Sequence, residues 1–284
     1  MPIDRDKALA HEFEAGDGGY SKDNVILYHL GVGAGVPATD ASELEYTYEK
    51  RLKVLPSFTT VANSGASAKI FSIPGLEFNR AMMLHGEQEV EIHKPLPPET
   101  KLRGKTKVAD IYDKGKAALL LLETAVTDEA GDALYTNRMS LFLRGEGGFG
   151  GPKGPEVSNA KPDRAPDGVV ESTTLPQQAL LYRLNGDKNP LHCDPDFAAK
   201  GGFDRPIIHG LCSYGIVCKA VVDGVLGGDP TKVAKYSARF RGIAFPGETY
   251  LTSFWKEGDT ILVEAKSKER DAVIISNAVV TVRS

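Results

Sequence analysis

Gly210-Leu-Cys-Ser-Tyr-Gly-Ile-Val-Cys-Lys-Ala-Val-Val-Asp-Gly-Val-Leu226 is the stretch on which the fold turns. Leu211, Tyr214, Val217, Cys218, Val221, Val222 and Val225 recur at the three- and four-residue spacing of a helix. They cover too much of its circumference for a surface helix, which buries one stripe. Such a helix needs cover on several sides, and the sequence after it offers a sheet. Residues 236–245, 248–256, 260–269 and 272–282 read as four strands separated by turn-forming residues. A sheet that wraps its helix is an α+β arrangement.

The same plan recurs toward the N-terminus. Leu180-Leu-Tyr-Arg-Leu-Asn-Gly-Asp187 can be laid over Ile26-Leu-Tyr-His-Leu-Gly-Val-Gly33. Phe245-Pro-Gly-Glu-Thr-Tyr250 mirrors Lys94-Pro-Leu-Pro-Pro-Glu-Thr-Lys101. A stretch of small and apolar residues from Pro56 to Ile70 stands where the long helix stands and predicts a buried helix. Residues 82–93, 101–113, 116–127 and 133–143 then read as strands of an antiparallel meander. The chain is thus expected to hold two repeats, residues 1–150 and 169–284, joined by a linker over 151–168. The glycines of Arg144-Gly-Glu-Gly-Gly-Phe-Gly-Gly151 lack the Gly-Lys-Ser/Thr ending of a phosphate loop and lead into no helix. They predict a flexible connection. Residues 1–22 read as a loose arm, Asp23 as the cap of a helix over Asn24–Leu30, and 41–55 as charged and irregular.

Composition narrows the function. The 284 residues are 41% apolar, enough for one large core or two modest ones, and the net charge is -4. Basic and acidic residues are interspersed, which speaks against a nucleic-acid partner. Cys193, Cys212 and Cys218 have no CxxC spacing and predict free thiols in a reducing compartment. The N-terminus has no secretory pattern, and no apolar run approaches the roughly 18 residues that span a bilayer. Val282-Arg-Ser284 is not a peroxisomal address. A cytoplasmic enzyme is the expectation.

Chemistry concentrates in one loop. Asp187, Asn189 and His192 lie between Gly186 and the helix pattern, interrupted by Pro190, so they share a loop rather than a helix face. A carboxylate, an amide and an imidazole there can hold and polarise one water. The free amides where the helix starts at Gly210 can face an oxyanion. Together they suit chemistry next to a carbonyl. His209 reads as a brace at the helix entry, and Cys193 as a spectator thiol. Asp194-Pro195 reads as the cap and first turn of a short helix stopped by Gly201. His192, Asp194, Asp196 and His209 have no established metal-ligand spacing, and no nicotinamide motif occurs, so no cofactor is expected. In the first repeat Gly33 stands where Asp187 stands in the second, with no acid/base pair after it. One copy carries the chemistry, and the other leaves space for a bulky substrate.

Several motifs agree in order and spacing with a known family. They are the run from Leu181 to Pro195 with its Asp-x-Asn-x-x-His core, Ile207-Ile-His-Gly-Leu-Cys212, Leu84-His-Gly-Glu-Gln88, Asp113-Lys-Gly115, and the glycine run from Arg144. Over nearly its whole length the chain resembles the R-specific 2-enoyl-CoA hydratases, the type-2, MaoC-like group found also in peroxisomal multifunctional enzymes. The resemblance implies a double hot-dog fold and reversible hydration of a trans-2-enoyl-CoA to a (3R)-3-hydroxyacyl-CoA. It implies Asp187 and His192 as the catalytic pair, Asn189 as the residue orienting the water or the pair, and Gly210 as the backbone donor to the thioester oxygen. His85, Gly86, Lys114 and Phe240 would contact the acyl-CoA. Self-association, with a homodimer foremost, fits as well. A hot-dog thioesterase and a catalytically silent acyl-CoA binder are the rival readings.

Overall fold

Residues 3–62, 69–156 and 159–283 are described by a computed structural model of the chain. The first half contributes β1 (Glu12–Tyr20), β2 (Met83–Ile92), β3 (Thr100–Asp113), β4 (Ala117–Asp128) and β5 (Ala133–Arg144). The second contributes β6 (Gly168–Thr173), β7 (Val233–Phe240), β8 (Thr249–Glu257), β9 (Thr260–Ser267) and β10 (Val273–Val282). All ten lie in one antiparallel sheet ordered β1-β3-β4-β5-β2-β7-β10-β9-β8-β6. Read inward from either edge, the two halves list equivalent strands in the same order, as a duplication requires. They join where β2 pairs with β7, from Glu87 opposite Arg239 to Glu91 opposite Lys235. Ion pairs of 2.6 Å (Arg239 to Glu87) and 2.9 Å (Lys235 to Glu89) cross this seam.

The long helix forms as its apolar width demands. It is α7 (Gly210–Val225), with Cys212 to Cys218 and Ala220 to Val222 buried. Tyr214 and Tyr236 of β7 stack at 4.1 Å. Each hydroxyl donates to the other residue's main-chain carbonyl, at 2.8 and 3.2 Å. That reciprocal pair fixes the helix against the sheet without leaving a buried hydroxyl unpaired. One core runs through both halves, from Val25, Tyr28 and Phe58 to Tyr182, Val217 and Ile275. This is the double hot-dog architecture. In the second half β8, β9 and β10 agree with the sequence reading, β7 starts earlier and stops at Phe240, and β6, which pairs with β8, was not among the expected strands.

Several expectations change. The arm before residue 22 carries α1 (Arg5–Leu9) and β1, which pairs with β3 along the sheet edge. Glycines hid the strand, yet one is required: a Cβ on Gly19 would lie 2.5 Å from the Thr100 carbonyl oxygen. Ser21, not Asp23, caps α2 (Lys22–Gly31), and it forms a capping box with Asn24. The segment after Asp40 is helical, α3 (Ala41–Thr47), because the Asp40 carboxylate accepts from the Ser42 and Glu43 amides. The first-repeat helix is seen only at its start. It comprises a 3₁₀ turn, Pro56–Phe58, and α4 (Thr59–Ala62), and residues 63–68 of the expected stretch lie outside the described residues. The glycine run is not a free tether either. The Asp113 carboxylate accepts from the amides of Gly115 at 2.8 Å and of Gly148 and Gly150 at 2.9 Å, folding the run back onto the β3–β4 turn.

His29 is a buried polar residue of the first repeat. It is fully buried on α2, its Nδ1–H donating to the Tyr46 carbonyl at 2.8 Å and its Nε2 accepting the Leu55 amide at 3.2 Å. Both nitrogens are used by the neutral ring, and burial lowers its pKa from 6.5 to about 4. The unfolded chain therefore binds the extra proton first as the medium is acidified. The stabilisation is complete above pH 6.5 and is lost as pH falls toward 4, a loss of about 3 kcal/mol for one such histidine. Thermal melts from neutral pH to pH 4.5 should show a falling Tm whose decline begins below about pH 6.5. A Tm that stays flat across that window would contradict the assignment.

Candidate active site

The site forms where the loop after α5 (Gln178–Tyr182) meets the start of α7. A 3₁₀ turn, Arg183–Asn185, ends at Gly186, whose φ of 123° is open only to glycine, and the chain then reverses through Asp187. The Asn189 main-chain amide donates to Asp187 Oδ1 at 3.1 Å, and Asn189 Oδ1 accepts from the Leu191 amide at 3.1 Å. Asn189 thus caps the 3₁₀ turn Pro190–His192 and fixes the spacing between the carboxylate and the imidazole. The Asp194 carboxylate caps α6 (Pro195–Lys200), which ends at Gly201, as the sequence indicated.

His192 is 8% exposed, and its Nδ1–H donates to the Ile207 carbonyl at 2.9 Å. A carbonyl can only accept, so this bond selects the tautomer with an unprotonated Nε2. Burial lowers the His192 pKa, which keeps the ring neutral and Nε2 unprotonated, although Asp187 works against that shift. His209 is 1% exposed and stacks on His192 with centroids 3.7 Å apart. Its Nε2 lies 3.3 Å from the Asp187 main-chain carbonyl. Burial, and then the neighbouring His192, push His209 down to about 4. Gly210 follows as the first residue of α7. Its amide has no partner within the helix, and the residue is exposed beside buried His209.

The first half closes the other side. Gly86 is the extra residue of a bulge in β2, between His85 opposite Leu141 and Glu87 opposite Ser140. The His85 ring meets Phe240 edge-on at 4.9 Å. A Cβ on Gly210 would come 3.4 Å from that same Phe240 ring, so Phe240 links His85 and Gly210 in space. Burial holds the His85 pKa near 4, and Asp187 is close enough to oppose the shift. Asp187, Asn189, His192, Gly210, His85, Gly86 and Phe240 therefore belong to one locality. Lys114 does not. It sits in the β3–β4 turn, its Nζ bonded to the Lys153 carbonyl and lying 5.7 Å from the Tyr112 ring centre. Three strand spacings, roughly 14 Å, separate it from His85 at the same end of the sheet. It helps line a cavity of about 320 Å³ that also reaches Glu87 and Ser140, beside the bulge.

A metal is the other ligand to weigh here. Asp187, His192 and His209 bring one donor atom each within 4.8 Å of one another. This differs from the set with Asp194 and Asp196 considered from sequence. A zinc-type ion would have to lie in both imidazole planes, about 2.0–2.1 Å from each nitrogen. The two rings are stacked and only 27° from parallel, so their lone pairs do not converge at that range. The residues do not fit a metal in this arrangement.

Residues 19–145 match the model of the MFE-2 hydratase 2 N-terminal domain, and 157–278 that of the MaoC like domain. An enoyl-CoA hydratase of Mycobacterium tuberculosis, ChsH3, is 45% identical over 98% of each chain. The chain belongs to the MaoC-like hydratase 2 family. A peroxisomal enoyl-CoA hydratase 2 of Arabidopsis thaliana is 41% identical, covering 96% of this chain and 94% of its own. The solved MaoC-like dehydratase of Phytophthora capsici superposes with a TM-score of 0.89 at 34% identity, over 99% and 98% of the two chains.

Within this hydratase 2 chain, His209 stands at the entry to α7. It was legible as an apolar-flanked brace at the helix entry. Its contact with Asp187, 22 residues earlier, depends on a chain reversal that no local pattern reveals. No helix among the described residues is long and apolar enough to cross a membrane.

Proposed function

We infer that this hydratase 2 family member adds water reversibly across the double bond of a trans-2-enoyl-CoA, giving a (3R)-3-hydroxyacyl-CoA in fatty-acid or related acyl-CoA metabolism. The observation that carries this reading is the tautomer of His192: a neutral ring with a bare Nε2, beside the Asp187 carboxylate and near the open amide end of α7. Water held between Asp187 and His192 gives a proton to Nε2 while its oxygen bonds to the β-carbon. The π electrons move onto the thioester oxygen, which the Gly210 N–H faces. The resulting enolate takes a proton at the α-carbon from the His192 imidazolium, on the side from which water came. Asp187 orients the water and offsets the transient charge on the ring. Every atom of the product comes from substrate and water, so the reaction as written uses no cofactor and no metal.

In this proposal His85, Gly86 and Phe240 flank the enoyl thioester, and Lys114 meets a more distant part of CoA. The roughly 14 Å between Lys114 and His85 suits a long ligand whose reacting end lies at the bulge. The first repeat, residues 1–150, houses the acyl chain, the linker spans 151–168, and residues 169–284 do the chemistry. A cytoplasmic location and a homodimer complete the proposal.

The test is a panel of trans-2-enoyl-CoA thioesters followed by the loss of enoyl absorbance, with a thiol reagent in parallel and chiral analysis of the product. Hydration removes the absorbance, releases no thiol and yields the 3R alcohol. Released CoA would replace this reading with a thioesterase, and binding without turnover would replace it with an acyl-CoA carrier.

A further inference from the structure

We propose that His209 is a positioning residue that holds the Asp187–His192 loop in register with the Gly210 amide through its stack on His192 and its bond to the Asp187 main chain. The proposal rests on the hydratase reading of the site.

The two halves of the chemistry lie on separate pieces of chain. The acid/base loop spans 187–192, and the oxyanion donor opens α7 at Gly210. Two contacts of the 206–208 strip tie them: His192 Nδ1–H to the Ile207 carbonyl, and the Ile207 amide to the Leu191 carbonyl at 3.4 Å. Both hold the far end of the loop, whereas the Asp187 carboxylate is tied within the loop itself, by the Asn189 amide. His209 supplies what they lack. Its Nε2–H donates to the Asp187 carbonyl, and since a carbonyl only accepts, the ring's single proton is committed there. Its face lies against His192, limiting rotation of the imidazole that must aim Nε2 at the water. Gly210 is its covalent neighbour, so any shift of His209 moves donor and loop together.

The bond leaves a cost in the structure. His209 Nδ1 is buried with no hydrogen-bond partner. A phenylalanine would fill the same space without an unpaired acceptor, so packing alone gives no reason for an imidazole. The ring is also held neutral by burial, so it adds no positive charge beside the imidazolium that forms at His192. A role as the proton carrier itself fits poorly, because its one proton is bound to a main-chain oxygen and its bare nitrogen is buried.

Two variants test this in the full-length protein, with wild-type enzyme and an enoyl-CoA as the active reference. His209→Phe keeps the stack and removes the bond. His209→Gln places an amide donor near the position of Nε2. The Phe variant should lose kcat by up to about 100-fold, the penalty of a misplacement near 1 Å, while KM stays close to wild type. Its kcat/KM pH profile should keep both limbs, and the Gln variant should recover most of the lost kcat. A Phe variant with wild-type kcat would overturn the proposal. So would loss of a limb of the pH profile, which would make His209 a proton carrier. If the Phe variant does not fold, the Gln variant decides alone: folded with kcat near wild type upholds the role, and folded with kcat as low as about 1% rejects it. Failure of the wild type to hydrate any enoyl-CoA would instead count against the hydratase reading.

Discussion

An enzyme carrying His192→Ala should hydrate enoyl-CoA about 10²–10⁴-fold more slowly than wild type, the usual range for a missing acid/base group. The only unprotonated ring nitrogen of His192 is Nε2, and the Ile207 carbonyl holds the ring so that this nitrogen stays free. Alanine removes the base and the tie together, so thermal melts and acyl-CoA binding must accompany the kinetics. Asp187→Asn is the cleaner partner variant. Its amide oxygen can still accept from the Asn189 main chain, which preserves the turn, while the charge that balances the imidazolium is gone. The same order of loss is expected with binding intact, because the thioester contacts assigned to Gly210, His85 and Phe240 remain. Turnover near wild type in both folded variants would remove the acid/base assignment altogether.

Much of the fold was legible because its signals are short-range. Gly131-Asp132 and Lys114-Gly115 mark the turns of the first meander, and strands β2 to β5 begin and end close to where those turns place them. The width of the apolar face on α7 announced its burial. What escaped was structure fixed by distant partners. β1 is a strand because β3 lies beside it, and its run of glycines gives little alternation of its own. The glycine run at 145–151 looks featureless until the Asp113 carboxylate gathers its amides.

The site divides in the same way. Asp187, Asn189 and His192 share one short loop, so their spacing already implied their meeting. Gly210 was readable from the helix start, whereas Gly86 entered through the resemblance. The approach of His85 to Phe240 depends on the β2–β7 seam between the repeats, and so entered only through resemblance. Lys114 came the same way, and its remoteness from the loop could not have been judged without the sheet order.

The backbone donor can be removed by one substitution. Proline is tolerated at the first position of a helix, and Gly210 occupies that position in α7. His209 before it has φ -57° and ψ 137°, an extended conformation compatible with a following proline. A Cβ there meets Phe240 at 3.4 Å, an ordinary contact. Gly210→Pro should therefore fold and bind acyl-CoA while lacking the N–H assigned to the thioester oxygen. Measured as kcat on a trans-2-enoyl-CoA, the account predicts a loss of about 10²–10³-fold, equivalent to about 2.7–4 kcal/mol of transition-state stabilisation. A folded Gly210→Pro enzyme that turns over at the wild-type rate would contradict it.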